Sequence, residues 1–149
     1  MLAEKPLPLP TEDTEGYWEA CHRQELVVSR CSACGHHFLP PARICPACLS
    51  DQVAFAKVSG KAKVFSFIVV HRPQHPAFFD EAPYCVAIVE LDEGPRMHTR
   101  LWGIDPKDAR VGMQVEVLFQ KADDEINLPL FKPLGVPLDQ SVLPHRTGK

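Results

Sequence analysis

With 149 residues, 45% of them apolar, and a formal net charge of −3, the chain has the length of one domain, or of a small domain with an appendage, and enough apolar material for a modest core. The proline-rich start, Met1 to Pro10, lacks the apolar stretch of a signal peptide, and no apolar run approaches the length of a bilayer span, so a secreted or membrane protein is not expected. Twelve Lys/Arg cancel twelve Asp/Glu over residues 53–149, and residues 4–25 balance at −4, which disfavours the basic face a nucleic-acid binder needs.

After the arm with Pro6, Pro8 and Pro10, a short helix is expected over about Glu12 to His22. Thr11 would be its N-cap, and Glu12, Asp13 and Glu15 suit the positive end of its dipole. Tyr17, Trp18 and Cys21 share one side at helical spacing, either packing on the body of the chain or facing a partner. Gly16 weakens this helix, which favours support from outside it. Leu26 to Arg30 reads as a strand leading into Cys31-Ser32-Ala33-Cys34-Gly35, and a second pair follows at Cys45-Pro46-Ala47-Cys48. A C-x₂-C pair bends two thiolates onto one ion, and two pairs complete a tetrahedral Cys₄ shell for Zn²⁺. That shell leaves no position for water, so the metal would be structural. The competing readings are two disulfides, a redox C-x-x-C, or a redox-active iron centre, and His36 and His37 would flank the site. Six cysteines in a chain without a signal peptide point to a reducing cytosol. The other two, Cys21 and Cys85, sit in apolar surroundings as small buried hydrophobes.

From Val53 onward the pattern is β. Strands are expected at Lys61 to Val70, Tyr84 to Leu91, Arg96 to Trp102 and Gln114 to Gln120, with a proline-limited edge strand from Leu128 to Lys132. Asp92-Glu93-Gly94 reads as a tight hairpin, and Asp105-Pro106 as a cap opening one turn of helix. Five strands with a helical link between the third and fourth fit a small Greek-key barrel of OB type. The loop from His71 to Pro83 is long for such a barrel, and its Phe78 and Phe79 either close one barrel end or meet a ligand or partner. No Ser/His/Asp order, acid/base carboxylate pair or Gly-rich phosphate loop stands out, and His22, His71, His75, His98 and His145 are scattered. The expected division is 1–25 arm and helix, 26–52 zinc ribbon, 53–136 barrel and 137–149 a poorly ordered tail.

The order of Tyr17-Trp18, Cys-x-x-Cys-Gly, Phe38-Leu39-Pro40-Pro41-x-Arg43, Cys-Pro-x-Cys, Ser59-Gly60-x-Ala62-x-Val64, Ala82-Pro83-Tyr84 and a closing Pro129-Leu130-Phe131-x-Pro133 resembles one family. It is the OB-fold and rubredoxin-like zinc-ribbon family of acyl-CoA-associated proteins, long labelled a domain of unknown function. The resemblance runs from about Gly16 to Pro133, with Ala62 standing where the family often has glycine. It implies a mainly β protein, an N-terminal helix with a zinc ribbon and a five-stranded OB barrel. It also implies a non-catalytic subunit of a thiolase-fold enzyme, or more rarely of a hot-dog hydratase, in acyl-CoA metabolism. Degradation of an aromatic or steroid side chain, such as benzoylsuccinyl-CoA cleavage, is one such setting. The metal set would be Cys31, Cys34, Cys45 and Cys48. Arg43, Arg72, Phe78 and Phe79 are the residues to which coenzyme A or the partner would bind, since cations suit phosphates and rings suit adenine or an acyl chain. A single-stranded nucleic-acid module is the alternative, because OB folds and zinc ribbons both occur in such proteins.

Overall fold

The computed structural model describes residues 4–137, so all but the first residue of the expected tail lies outside the described part. Helix α1 spans Glu15–His22, three residues shorter at its start than the expected helix. The reason is local. Thr11 takes the Thr14 and Glu15 amides on its backbone carbonyl, forming a turn, while the Thr14 hydroxyl accepts the Thr11 N–H, so the chain enters the helix only at Glu15. Tyr17, Ala20 and Cys21 are buried, and Trp18 is half-buried at the edge of the core. Gly16 is there for space: a Cβ would stand 2.6 Å from a ring carbon of Phe55. The helix is thus supported within its own chain.

Strand β1 (Val27–Cys31) forms the middle of a three-stranded sheet, flanked by β2 (His37–Phe38) and β3 (Val53–Lys57), both antiparallel. Sequence placed Val53 to Lys57 with the barrel, but each of its residues pairs with β1, from Val27↔Lys57 to Cys31↔Val53. Pairing register is a long-range property that a five-residue apolar pattern does not reveal. Val58 is buried in the main core, and Gly60 then turns the chain out of the ribbon.

The barrel comprises β4 (Lys61–Val70), β5 (Tyr84–Leu91), β6 (Arg96–Leu101), β7 (Gln114–Lys121) and β8 (Asn127–Pro133), closed in the order β4-β5-β6-β8-β7. Alternation drives it: β5 buries Cys85, Ala87, Val89 and Leu91 and turns the residues between them outward. Strand β4 carries a bulge at Phe65, where Val64 pairs Val89 but Ser66 already pairs Ile88. The expected edge strand is not an edge. Strand β8 pairs with β7 along seven residues and meets β6 in parallel at Leu101↔Phe131, which closes the barrel. Phe131 is fully buried there. The hairpin at Gly94 forms as expected, as does the turn Pro106–Asp108, whose Lys107 amide donates to the Asp105 carboxylate. A second 3₁₀ turn, Pro76–Glu81, organises the long β4–β5 loop. The helix meets the barrel through Asn127, whose side-chain amide donates to the carbonyls of Cys21 and His22, both at 3.1 Å. They are carbonyls of the last helical turn, and the Cys21 oxygen, which also takes the Gln24 amide at 2.9 Å, gains a second donor from more than a hundred residues away.

Two measurements test this account. Gly60 and Gly112 have similar positive φ, 79° and 85°, but only at Gly60 would a Cβ collide, 2.5 Å from Val117 Cγ1. Gly60→Ala should therefore cost about 1–3 kcal/mol more than Gly112→Ala in urea unfolding, the difference being overpacking alone. Equal costs would remove the Val117 contact from the explanation. Glu116 and Lys132 face each other across β7 and β8 and are ion-paired. The Lys132 hydrogen bond is the main cause holding the Glu116 carboxyl below its ordinary value. A depressed folded-state value means a contribution present above the unfolded value and lost as pH falls through the folded one. Glu116→Gln should be less stable than the parent at pH 7, with the gap closing under acid; a gap of constant size from pH 7 to pH 2 would disprove the linkage.

Candidate metal centre

The two knuckles repeat one backbone design. The Gly35 amide donates to the Cys31 carbonyl at 2.8 Å and the Leu49 amide to the Cys45 carbonyl at 2.9 Å. The Cys31 amide donates to His36 and the Cys45 amide to Ser50, both at 2.9 Å. Each turn needs a residue of positive φ after its second cysteine. Gly35 supplies it at 78° without strain, whereas Leu49 adopts 62° with its side chain exposed. The Leu49 backbone conformation is a feature that sequence reading, guided by glycine, passes over.

This design brings four sulfurs together. Cys31 Sγ and Cys48 Sγ are 3.6 Å apart, Cys34 Sγ and Cys45 Sγ 3.7 Å, and all four lie within 4.8 Å of one another. These separations are far longer than the about 2.05 Å of a disulfide. A tetrahedron with metal–sulfur bonds of about 2.3 Å has edges of about 3.8 Å, so the cage matches a four-coordinate metal. Cys31 and Cys45 form its buried side, packed with Phe38, while Cys34 and Cys48 form its exposed side. The Cys34 backbone amide, the largest influence, holds the Cys31 thiol down to about 7, and the Ala47 amide donates to Cys45 Sγ at 3.4 Å. Amide donors of this kind stabilise thiolates. The histidines of the first knuckle do not join the cage: His36 stacks on Phe38 instead, with ring centroids 5.8 Å apart.

The other predicted site residues lie on different modules. Arg43, in the ribbon, is exposed and bonded to Glu12 at 2.6 Å and Asp13 at 2.9 Å. Arg72, Phe78 and Phe79 lie on the β4–β5 loop. Arg72 is exposed, Phe79 is 55% exposed, and Phe78 is half-buried between His75, Tyr84 and the Lys5 ammonium. Near the end of this loop Glu81 Oε1 takes both Lys5 at 2.8 Å and Arg100 at 3.3 Å, and Arg100 lies against the rings of Tyr84 and Trp102. Sequence reading missed this cluster, whose members come from the arm, the loop and β6. Cys21 and Cys85 are buried, and burial pushes both thiols up, Cys21 to about 12.

The family model described as the ChsH2 rubredoxin-like zinc ribbon domain matches residues 18–54, and that of the ChsH2 C-terminal OB-fold domain matches residues 56–120. The chain belongs to the ChsH2 (DUF35) family. It is 42% identical over 139 residues to a probable enoyl-CoA hydratase alpha subunit of Thermomonospora curvata, covering 93% of this chain but 43% of that protein. The chain therefore spans less than half the length of that relative. It is 37% identical over 116 residues to a DUF35 domain-containing scaffold protein of Methanothermobacter thermautotrophicus, covering 77% of this chain and 86% of the other. Among solved structures, a chain of the Ltp2-ChsH2(DUF35) aldolase superposes with a TM-score of 0.78 at 42% identity, over 85% of this chain and 98% of that one. The expected fold and family both stand: the members share a zinc-ribbon domain followed by an OB-fold domain.

The cage predicts how the thiols respond to metal removal. After chelation, the four cage cysteines should react with a thiol reagent while Cys21 and Cys85 react only on unfolding. Cys31→Ala and Cys48→Ala should each lose bound metal and melt earlier, since metal binding contributes folding free energy. Full metal content with unaltered melting in either variant would contradict the assignment.

Proposed function

We propose that this chain is a non-catalytic accessory subunit, held together by structural Zn²⁺, of a cytosolic thiolase-type enzyme of acyl-CoA metabolism. The observation that carries this reading is the match at 42% identity to nearly the whole of one chain of the solved Ltp2-ChsH2(DUF35) aldolase. The names of a hydratase alpha subunit and of a scaffold protein agree with a subunit role. Those names mention an aldolase and a hydratase, so the thiolase fold of the partner rests on the family resemblance in the sequence motifs. The closed cage supports a structural metal, because four thiolates leave it no open coordination position. Six free cysteines suit a reducing compartment.

Coenzyme A, in this reading, is shared with the partner. Arg72 and Phe79 are the exposed groups on the β4–β5 loop that suit a phosphate and an adenine ring, with Phe78 beside them. Arg43 would meet a phosphate only by exchanging it for Glu12 and Asp13. An aromatic or steroid side chain is the acyl class proposed.

Affinity purification from the native host, with mass identification of what co-elutes, tests the reading. A stoichiometric thiolase-like enzyme, whose acyl-CoA activity falls when this chain is removed, is the expected result. Salt-sensitive retention of single-stranded DNA or RNA with no enzyme present would overturn it, and an iron–thiolate absorbance in the visible would overturn the zinc assignment.

A further inference from the structure

Outside the metal cage and the β4–β5 loop, an open groove of about 420 Å³ runs between α1 and the β7–β8 turn. Its apolar surface comes from Pro10, the half-buried Trp18 and the buried Ile126. Its charge is acidic: Glu15, Glu19, Asp124 and Glu125 line it against one arginine, Arg23, with His22 alongside. Arg23 is itself drawn towards Glu25, 3.7 Å away, and Asp124 is bridged to Lys121 at 3.4 Å. Glu15, Glu19 and Glu125 have no ion-pair partner among the described residues. These three exposed carboxylates surround the indole, so the groove offers charge complementarity to a basic ligand beside an apolar contact.

The walls of the groove are preformed. Asp123 Oδ1 accepts the Glu125 and Ile126 amides at 2.8 and 2.6 Å, and the Ala122 amide donates to the Ile126 carbonyl at 2.9 Å. Asn127 locks that turn to the end of α1 through the Cys21 and His22 carbonyls. The buried side of the helix, Tyr17, Ala20 and Cys21, is committed to the core, so the Glu15, Trp18, Glu19 and His22 side is held outward on a rigid base. A rigid pocket with an aromatic floor loses little entropy on binding, and a tryptophan in such a place is a typical interface anchor.

We propose that this groove docks a basic segment of a partner protein, an extended stretch of Lys and Arg with one apolar side chain that packs on Trp18. The carboxylate rim selects the charge and the Trp18–Ile126 floor selects the anchor. Only the identity of the protein carrying the segment rests on the accessory-subunit reading; the groove and its chemistry do not.

The two tryptophans, Trp18 and Trp102, provide a built-in probe and control. The indole N–H resonances of the full-length protein would be followed by NMR while titrating the peptide Arg-Lys-Leu-Arg-Lys, blocked at both ends. Trp18 should shift and Trp102 should not. The same peptide with Gly for Leu should bind about tenfold more weakly, and Glu-Asp-Leu-Glu-Asp should not bind. Glu19→Lys/Glu125→Lys, two exposed reversals on opposite walls, should weaken the basic peptide about tenfold while leaving the Trp102 resonance in place. An unmoved Trp18, equal binding of the Gly peptide, or undiminished binding by the double variant would overturn the proposal. So would a Trp18 shift that appears on concentrating the protein alone with a dimer mass by light scattering, since the occupant would then be a second copy. Co-purification of the enzyme is scored separately. Enzyme retained without peptide binding sinks the groove and leaves the subunit reading; peptide bound without any enzyme does the reverse.

Discussion

Four cysteine sulfurs held within 4.8 Å of one another can all become thiolates only if a cation cancels their repulsion, and the ribbon depends on that condition. Its own apolar core is too small to replace it: Cys31, Phe38 and Cys45, with Ala42 and Val53 packed beside them. A core of that size contributes little against the entropy of ordering the chain from β1 to β3. The consequence reaches beyond the ribbon because β1 is shared. Its far end supplies Cys31 to the cage, while Val27 and Val28 belong to the main core with α1 and the barrel. Fixing Cys31 fixes the register of β1, hence that of β3, hence the seat of Phe55 against Gly16 of the helix.

The barrel is secured by a different device. Antiparallel ladders join four of its five seams, and the fifth, between β6 and β8, is a single parallel bridge at Leu101↔Phe131. So short a ladder could not hold alone. The Trp102 amide donates to the Phe131 carbonyl at 2.8 Å and the Thr99 hydroxyl to the Pro129 carbonyl at 3.1 Å, both across the same seam. Phe131, fully buried beneath it, adds the apolar contact that keeps β8 in place. Pro129 and Pro133 are tolerated in β8 although it is paired on both sides, because the β6 side asks for so few of its amides.

What could be read in the sequence divides along the range of the interactions. Strands β4 and β5 begin and end at the expected residues, because alternation and run length are local properties, and the cage ligands are announced by two short spacings. The start of α1 moved by three residues because Thr11 acts through its carbonyl in a turn, which no N-cap preference encodes. Pairing of β3 with β1, closure by β8, and the Asn127 clamp all join residues far apart in the chain, and no periodicity carries them. Arg43 shows the same limit at a candidate site. Its charge suggested a phosphate, yet Glu12 and Asp13, some thirty residues earlier, occupy it.

The β4–β5 loop shows how the arm restrains a surface that sequence alone would leave free. Glu81 receives Lys5 from the arm and Arg100 from β6 on one oxygen, leaving Oε2 and the Arg100 Nε buried without a hydrogen bond. Leaving such groups unpaired costs about 1–3 kcal/mol each, which the Tyr84 and Trp102 rings flanking the guanidinium offset in part. A cost of that kind is accepted where it holds a particular geometry. Here it ties the turn Pro76–Glu81 to both the barrel and the N-terminal arm, so Phe79 projects from an anchored base. A ring presented in this way suits a fixed contact with another surface better than a mobile lid, because the entropy of ordering the loop has already been spent in folding.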